Sequence, residues 1–299
     1  MKTSVRICAA ASLAILTATT STFATTCSTI GPQNTAVLLV LLPGQTPPAT
    51  PQFVSDVFFG TSTGRSLDGF WREASYGQTS ATGNVYGWYT LPGTYSCLNL
   101  PQLMDDAIAA ASSQGVNFQG YTRIFTLMPN LGCGWVGFTL TSPSAGGCST
   151  WSTPAGTLTA SASFVASAYF GSAYTPGLTL RDQAVALVSH EGGHALGLHH
   201  AGTVNDSPLV LGPVASAGSF NDMGDPYDTM GGWDLGLYTA QHKAEVLNWM
   251  TAGSSYKVIQ SSGSYTLQPL EISPPGLQAL KEGPEKKQGT QLSERCFCC

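Results

Sequence analysis

The sequence of 299 residues predicts an α/β (α+β) domain built on a twisted mixed sheet. Three observations carry that expectation. Short apolar runs end at Pro-Gly or similar turn residues, as buried strands do. A strand, a helix and a second strand follow one another before residue 130, the order of a parallel crossover. Further on, one helical segment and the turn after it hold four of the five histidines.

In chain order, residues 35–42 contain the run Ala36-Val37-Leu38-Leu39-Val40-Leu41-Leu42, closed by Pro43-Gly44, and read as a buried strand. Residues 46–52 are a Pro-rich loop. Residues 66–75 read as a helix with Phe70 and Trp71 on its core face, and 84–90 as a strand closed by Pro92-Gly93. The Ala-rich stretch 103–113 has Asp105 and Asp106 in its first turn, where carboxylates suit the helix dipole. Residues 121–128 are rich in β-branched and aromatic side chains and read as a strand. Residues 135–141 and 164–170 are further strands, separated by Gly/Ser/Pro-rich loops. A helix over 179–196 opens with Thr179 and Asp182 as a capping box ahead of the apolar run at 184–188. Residues 203–227 read as a loop and 239–250 as a last helix, capped by Thr239.

The helix over 179–196 leads into His190-Glu191-Gly192-Gly193-His194-Ala195-Leu196-Gly197-Leu198-His199-His200. Residues four apart lie one above the other on a helix, so His190 and His194 can aim two imidazoles at one point. Gly197 can take a left-handed conformation that ends the helix and turns the chain. His200 then swings back as a third ligand. His199 is the rival, and the glycine-to-histidine offset favours His200. Three histidines leave one tetrahedral position open, the arrangement of a single catalytic Zn2+ rather than a structural one. Glu191 stands beside the first ligand, placed to take a proton from water. Glycines at 192 and 193 each cost a helix about 1 kcal/mol against alanine, so a close neighbour is expected there.

Thirty residues past His200, Met230 sits in Asp228-Thr229-Met230-Gly231-Gly232, a glycine-bounded turn; Met223 is a rival. The motif H-E-x-x-H-x-x-G-x-x-H followed by such a turn resembles the metzincin clan of zinc peptidases. More narrowly, the chain is similar to the gametolysin-type peptidases over about residues 35–280. Ser75-Tyr76-Gly77 with Gly87-Trp88-Tyr89, Cys133-Gly134-Trp135, the zinc helix and Gly224-Asp225-Pro226 carry that likeness, with Ala240-Gln241-His242-Lys243 and Asn248-Trp249. The resemblance implies a metzincin-like catalytic domain with an active-site helix and a Met-turn. It implies a metalloendopeptidase with His190, His194 and His200 as zinc ligands, Glu191 as acid/base and Met230 as an apolar floor. Some metzincins carry a tyrosine two residues after that methionine; Gly232 holds the place here, so no tyrosine ligand carries over.

Residues 1–24 read as a secretory signal: Lys2 and Arg6, an apolar stretch from Ile7 to Leu16, then small residues, with cleavage after Ala24. The stretch is too short to span a bilayer. Without Lys2 and Arg6 the basic count falls from 12 to ten against 17 acidic residues, which offers no patch for nucleic acid. The expected product is secreted, extracellular or periplasmic, with a protein or peptide substrate and no membrane span; oligomeric state is left open. Cys27, Cys97, Cys133 and Cys148 are dispersed as disulfide cysteines would be. Cys133 with Cys148 is the preferred pairing, and Cys27 as a zinc-capping thiolate is the minor alternative.

The domain layout is thus a signal at 1–24, a zinc metallopeptidase domain at 25–254, the start of a truncated β-rich segment at 255–281 with strands at 265–267 and 277–280, and a tail at 282–299. The tail is abruptly charged, ends in three cysteines, is expected to be disordered and has the look of a frame slip. His242 can stabilise an oxyanion or serve structurally, the latter favoured. Asp222, Asp225, Asp228 and Asp234 can supply calcium ligands but fit no EF-hand, so turn-forming roles are favoured. The expected activity is zinc-dependent hydrolysis of peptide bonds in extracellular or cell-wall proteins. The alternatives are a non-catalytic zinc-stabilised binding or matrix protein and a hydrolase of cell-wall peptides.

Overall fold

The computed structural model describes residues 27–61, 65–140, 142, 145–205, 218–232, 236–273, 275–282 and 295–297. The signal expected at 1–24 lies outside them. The elements run β1 (Gly31–Leu41), α1 (Pro51–Phe59), α2 (Leu67–Ala74), β2 (Thr79–Thr90), α3 (Leu100–Ser113), β3 (Arg123–Met128), β4 (Gly137–Leu140), β5 (Ser149–Thr153) and β6 (Gly156–Ala166). Then come α4 (Leu180–Ala195), β7 (Thr203–Asn205), β8 (Ser219–Asn221), β9 (Tyr256–Ile259), β10 (Ala279–Glu282) and β11 (Arg295–Phe297).

The main sheet has the order β2-β1-β3-β6-β4, with β5 also paired to β6. β2, β1, β3 and β6 are mutually parallel, whereas β4 and β5 run antiparallel to β6, so the sheet is mixed as expected. β1 is continuous in apolar residues because both its faces are covered. Val37 and Leu39 pack with Val57 and Phe58 of α1, Trp71 of α2 and Leu187 of α4. Ala36, Leu38 and Val40 pack with Leu103, Ala107 and Ile108 of α3. From Asp182 to Ala195 every residue of α4 is buried. A helix enclosed in this way shows no polar stripe, and each of its polar side chains needs an internal partner.

Several expectations change. The Pro-rich loop gives way to α1, which Thr50 caps through the Phe53 N–H with Pro51 in its first turn. The strand expected at 164–170 is the end of β6 followed by a 3-10 turn, Ser167–Phe170. The loop expected at 203–227 carries the β7–β8 hairpin. The helix expected over 239–250 shrinks to a π-helical stretch, His242–Val246. Asn248 is left-handed (φ 57°), and the Trp249 indole is held 2.9 Å from the Thr29 carbonyl, which pulls the chain out of the helix. No strand forms at 265–267; β10 pairs parallel with β9 instead. Residues 295–297 pair antiparallel with β10, and the rest of the tail beyond residue 282, expected to be disordered, lies outside the described residues.

The disulfides are Cys27–Cys148 and Cys97–Cys133, so the preferred Cys133–Cys148 pairing and the zinc-capping role for Cys27 are both overturned. The intervening residues 137–140 run out along β6 as β4, which separates Cys133 from Cys148. No helix among the described residues is long and apolar enough to cross a membrane.

Cys27–Cys148 closes a sequence span of 121 residues. Long closed loops take the most entropy from the unfolded chain, so replacing both cysteines by serine should lower unfolding free energy by about 2–5 kcal/mol. Denaturant unfolding of the double variant measures this; a loss well under about 1 kcal/mol would show that the N-terminal segment is held without the bridge.

Candidate metal centre

α4 begins where expected: the Thr179 hydroxyl accepts the Asp182 N–H at 3.1 Å and donates to the Asp182 carboxylate at 2.7 Å. It ends at Gly197, whose φ of +99° takes the left-handed turn, and Leu198 N–H closes back on the Gly193 carbonyl at 3.0 Å. Arg123 fixes this end from β3. Its fully buried guanidinium donates to the Ala195 carbonyl at 2.7 Å, the Ser28 carbonyl at 2.9 Å and the Gln33 Oε1, and also to the Gly146 carbonyl. Burial pushes its pKa down to about 9, so the group stays a cation at neutral pH, where it complements the negative end of the helix.

The turn brings His190, His194 and His200 together, with one ring nitrogen of each lying within 4.8 Å of the others. Among the described residues this is the only group of three or more side chains placed to hold a metal. Every imidazole is oriented through its other nitrogen. His190 Nδ1–H donates to the Thr229 carbonyl (2.7 Å), His194 Nδ1–H to the Leu198 carbonyl (2.8 Å) and His200 Nδ1–H to the Asp222 carboxylate (2.6 Å). These acceptors set the tautomer and leave three Nε2 lone pairs for one cation. Burial lowers the pKa of His190 and takes that of His194 down to about 3, so the buried rings are held neutral, the ligand form. The donor set fits a zinc ion. His199 is exposed and outside the group.

Glu191 is buried beneath β4. Thr139 Oγ1 donates to its Oε2 at 2.6 Å and lies 2.9 Å from Ser163 Oγ. A Cβ at Gly137 would collide with the same carboxylate. Burial raises the Glu191 pKa to about 8 against the Thr139 hydrogen bond, which lowers it. The two helix glycines also have neighbours: a Cβ at Gly193 would strike Met230 Sδ, and one at Gly192 would press on Leu67 and Trp71 of α2. Met230 is fully buried in a turn where Gly231 N–H bonds to the Asp228 carbonyl (2.9 Å), and its own carbonyl accepts from Ala201 N–H (3.0 Å).

Three of the four aspartates considered for calcium serve the turns and the histidines instead. Asp222 orients His200, and Asp225 accepts the Tyr227 N–H in a turn. Asp228 accepts from Met230 N–H (2.6 Å), Thr239 N–H (2.6 Å) and His242 Nδ1 (3.0 Å). Burial works to raise the Asp228 pKa, but His242 and the two backbone donors outweigh it and hold the carboxyl below its ordinary range. His242 thus bonds to the carboxylate under the turn, a structural place. Asp234, the fourth, lies outside the described residues.

Sequence reasoning missed Gly137, Thr139 and the His200–Asp222 bond. Thr139 lies 52 positions from Glu191, and only the placement of β4 joins them. Asp222 carried a signal, a carboxylate shortly after the third histidine, although its pattern suggested only a turn or a calcium ligand. No protein-family model matches the chain, and no curated protein matches it with significant similarity.

Zinc titrated into this candidate site should bind Asp222→Asn about 10–100-fold more weakly than the parent, since partners that orient a ligating histidine typically contribute that much. Chelator competition measures it, and an unchanged affinity would remove Asp222 from the site. A pH effect follows for metal-free protein. Its folded form keeps Glu191 protonated up to about pH 8, whereas the unfolded chain ionises near the ordinary 4.5. The folded state therefore binds the extra proton between those values, and stability falls as pH rises through that window. Glu191→Gln removes this loss, so its gain in Tm over the parent should grow from about pH 5 to about pH 8.5. A pH-independent difference would contradict the burial argument.

Proposed function

We propose that the protein is an exported zinc-dependent endopeptidase of metzincin type, acting on extracellular or cell-wall proteins. The observation that carries this reading is the convergence of three imidazoles, each locked through Nδ1, next to a buried carboxylate at the edge of the sheet. The two disulfides support an oxidising compartment.

His190, His194 and His200 would hold a zinc ion, which when bound would supply Lewis acidity toward a peptide carbonyl and a water. Glu191 carries the proton: it accepts one from that water and passes it to the departing amine. Thr139 holds the carboxylate in one orientation for both transfers. The role requires Glu191 ionised, and a neighbouring cation opposes the effect of burial and favours that form. β4 positions the substrate. Among the described residues it pairs with β6 alone, so its other edge offers backbone donors and acceptors to an extended peptide. Met230 serves as an apolar floor, its sulfur filling the space that Gly193 leaves.

Glu191→Gln should retain one zinc per chain yet lower turnover of a quenched-fluorescent peptide by about 10²–10⁴-fold, the usual contribution of a positioned general base. Metal analysis and turnover on the same preparation check both parts. Undiminished hydrolysis would remove Glu191 from the mechanism, and retained zinc without hydrolysis by the parent protein would favour the non-catalytic reading.

A further inference from the structure

β4 has two faces. Gly137 and Thr139 meet Glu191 on one, whereas Leu140, 43 % exposed, belongs to the other, the face that α3 covers. There a cavity of about 350 Å3 opens between the first turns of α3 and strands β4, β5 and β6. Met104, Leu140, Trp151 and Phe164 supply apolar walls, and Asp105 is the one charged residue in the lining. The Asp105 carboxylate makes no hydrogen bond or ion pair among the described residues. Its neighbour Asp106 is already engaged, accepting from the Tyr95 hydroxyl at 2.6 Å and from Gln102 Nε2 at 2.9 Å. Burial, and then the nearby Asp106 charge, raise the Asp105 pKa, as for a carboxylate that lacks its counter-ion.

We propose that this cavity receives a lysine or arginine side chain of a peptide lying along β4, with its methylenes against Trp151 and Phe164 and its cation on Asp105. The inference rests on the endopeptidase reading for the peptide's place at the β4 edge. An added strand sends alternate side chains to opposite faces, so the residue beside Leu140 shares the face of the cavity. Long basic side chains cover apolar surface with their stems while the charged head seeks a partner. A glutamate there would meet a like charge, and an apolar side chain would leave Asp105 covered and unpaired.

The test uses zinc-loaded Glu191→Gln protein, which binds without cleaving. It is titrated with acetylated octapeptide amides that carry arginine, lysine, norleucine or glutamate at one scanned position. At one position the basic peptides should bind at least about tenfold tighter than the norleucine peptide, the worth of a charge-assisted hydrogen bond. Asp105→Asn in the same background should bring that ratio to about one, and Asp105→Lys should turn the preference to glutamate. No preferred position, or a preference that survives both substitutions, would overturn the proposal. Hydrolysis of the same peptides by the parent protein reads the other assignment separately. Basic preference without zinc-dependent cleavage keeps the cavity and removes the peptidase, and cleavage without preference removes the cavity alone.

Discussion

The candidate metal centre depends on three hydrogen bonds that the imidazoles make through Nδ1. A histidine ring has two nitrogens and one proton in its neutral form, so a fixed acceptor at Nδ1 decides what Nε2 can do. Here the acceptors come from three different places: the turn before Met230, the turn after Gly197, and the β8 side of a hairpin. Binding a cation then requires little ordering of the rings, since their tautomer and direction are set by the fold. The same arrangement makes the centre sensitive to distant parts of the chain, because moving any of the three acceptors turns a ligand.

The end of α4 is where those parts are joined. Arg123 draws the Ala195, Gly146 and Ser28 carbonyls onto one guanidinium, and Cys148, which lies beside it, is bridged to Cys27. Among the described residues Arg123 has no carboxylate partner; a buried arginine of this kind loses much solvation, and only a full set of acceptors offsets that. Its acceptors belong to Ser28 after Cys27, Gln33 of β1, the loop before β5 and the last turn of α4. The glycine turn that delivers His200 therefore starts from an anchored point rather than from a frayed helix end.

What was legible in the sequence was local. His190 and His194 are four residues apart on a helix, Gly197 breaks it, and the capping box at Thr179 starts it; each is settled within a few residues by backbone geometry. The close neighbours of Gly192 and Gly193 were legible as a cost that had to have a cause, although not as Met230 and α2. The Thr139 contact to Glu191, both disulfides and the Asp222 bond are products of strand order, which periodicity does not encode. Thr50 and Pro51, which start α1, lie among prolines that read as a loop. The last helix differs for the opposite reason. Its good local pattern is overridden by a contact from the far end of the chain, the bond from the Trp249 indole to the Thr29 carbonyl.

The most direct measurement is X-ray absorption at the zinc edge of metal-loaded protein, with and without His200→Ala. The account predicts three imidazole nitrogens at about 2.0–2.1 Å with a light-atom ligand completing the shell, and two imidazoles in the variant. A sulfur ligand near about 2.3 Å, or a shell indifferent to loss of His200, would contradict it.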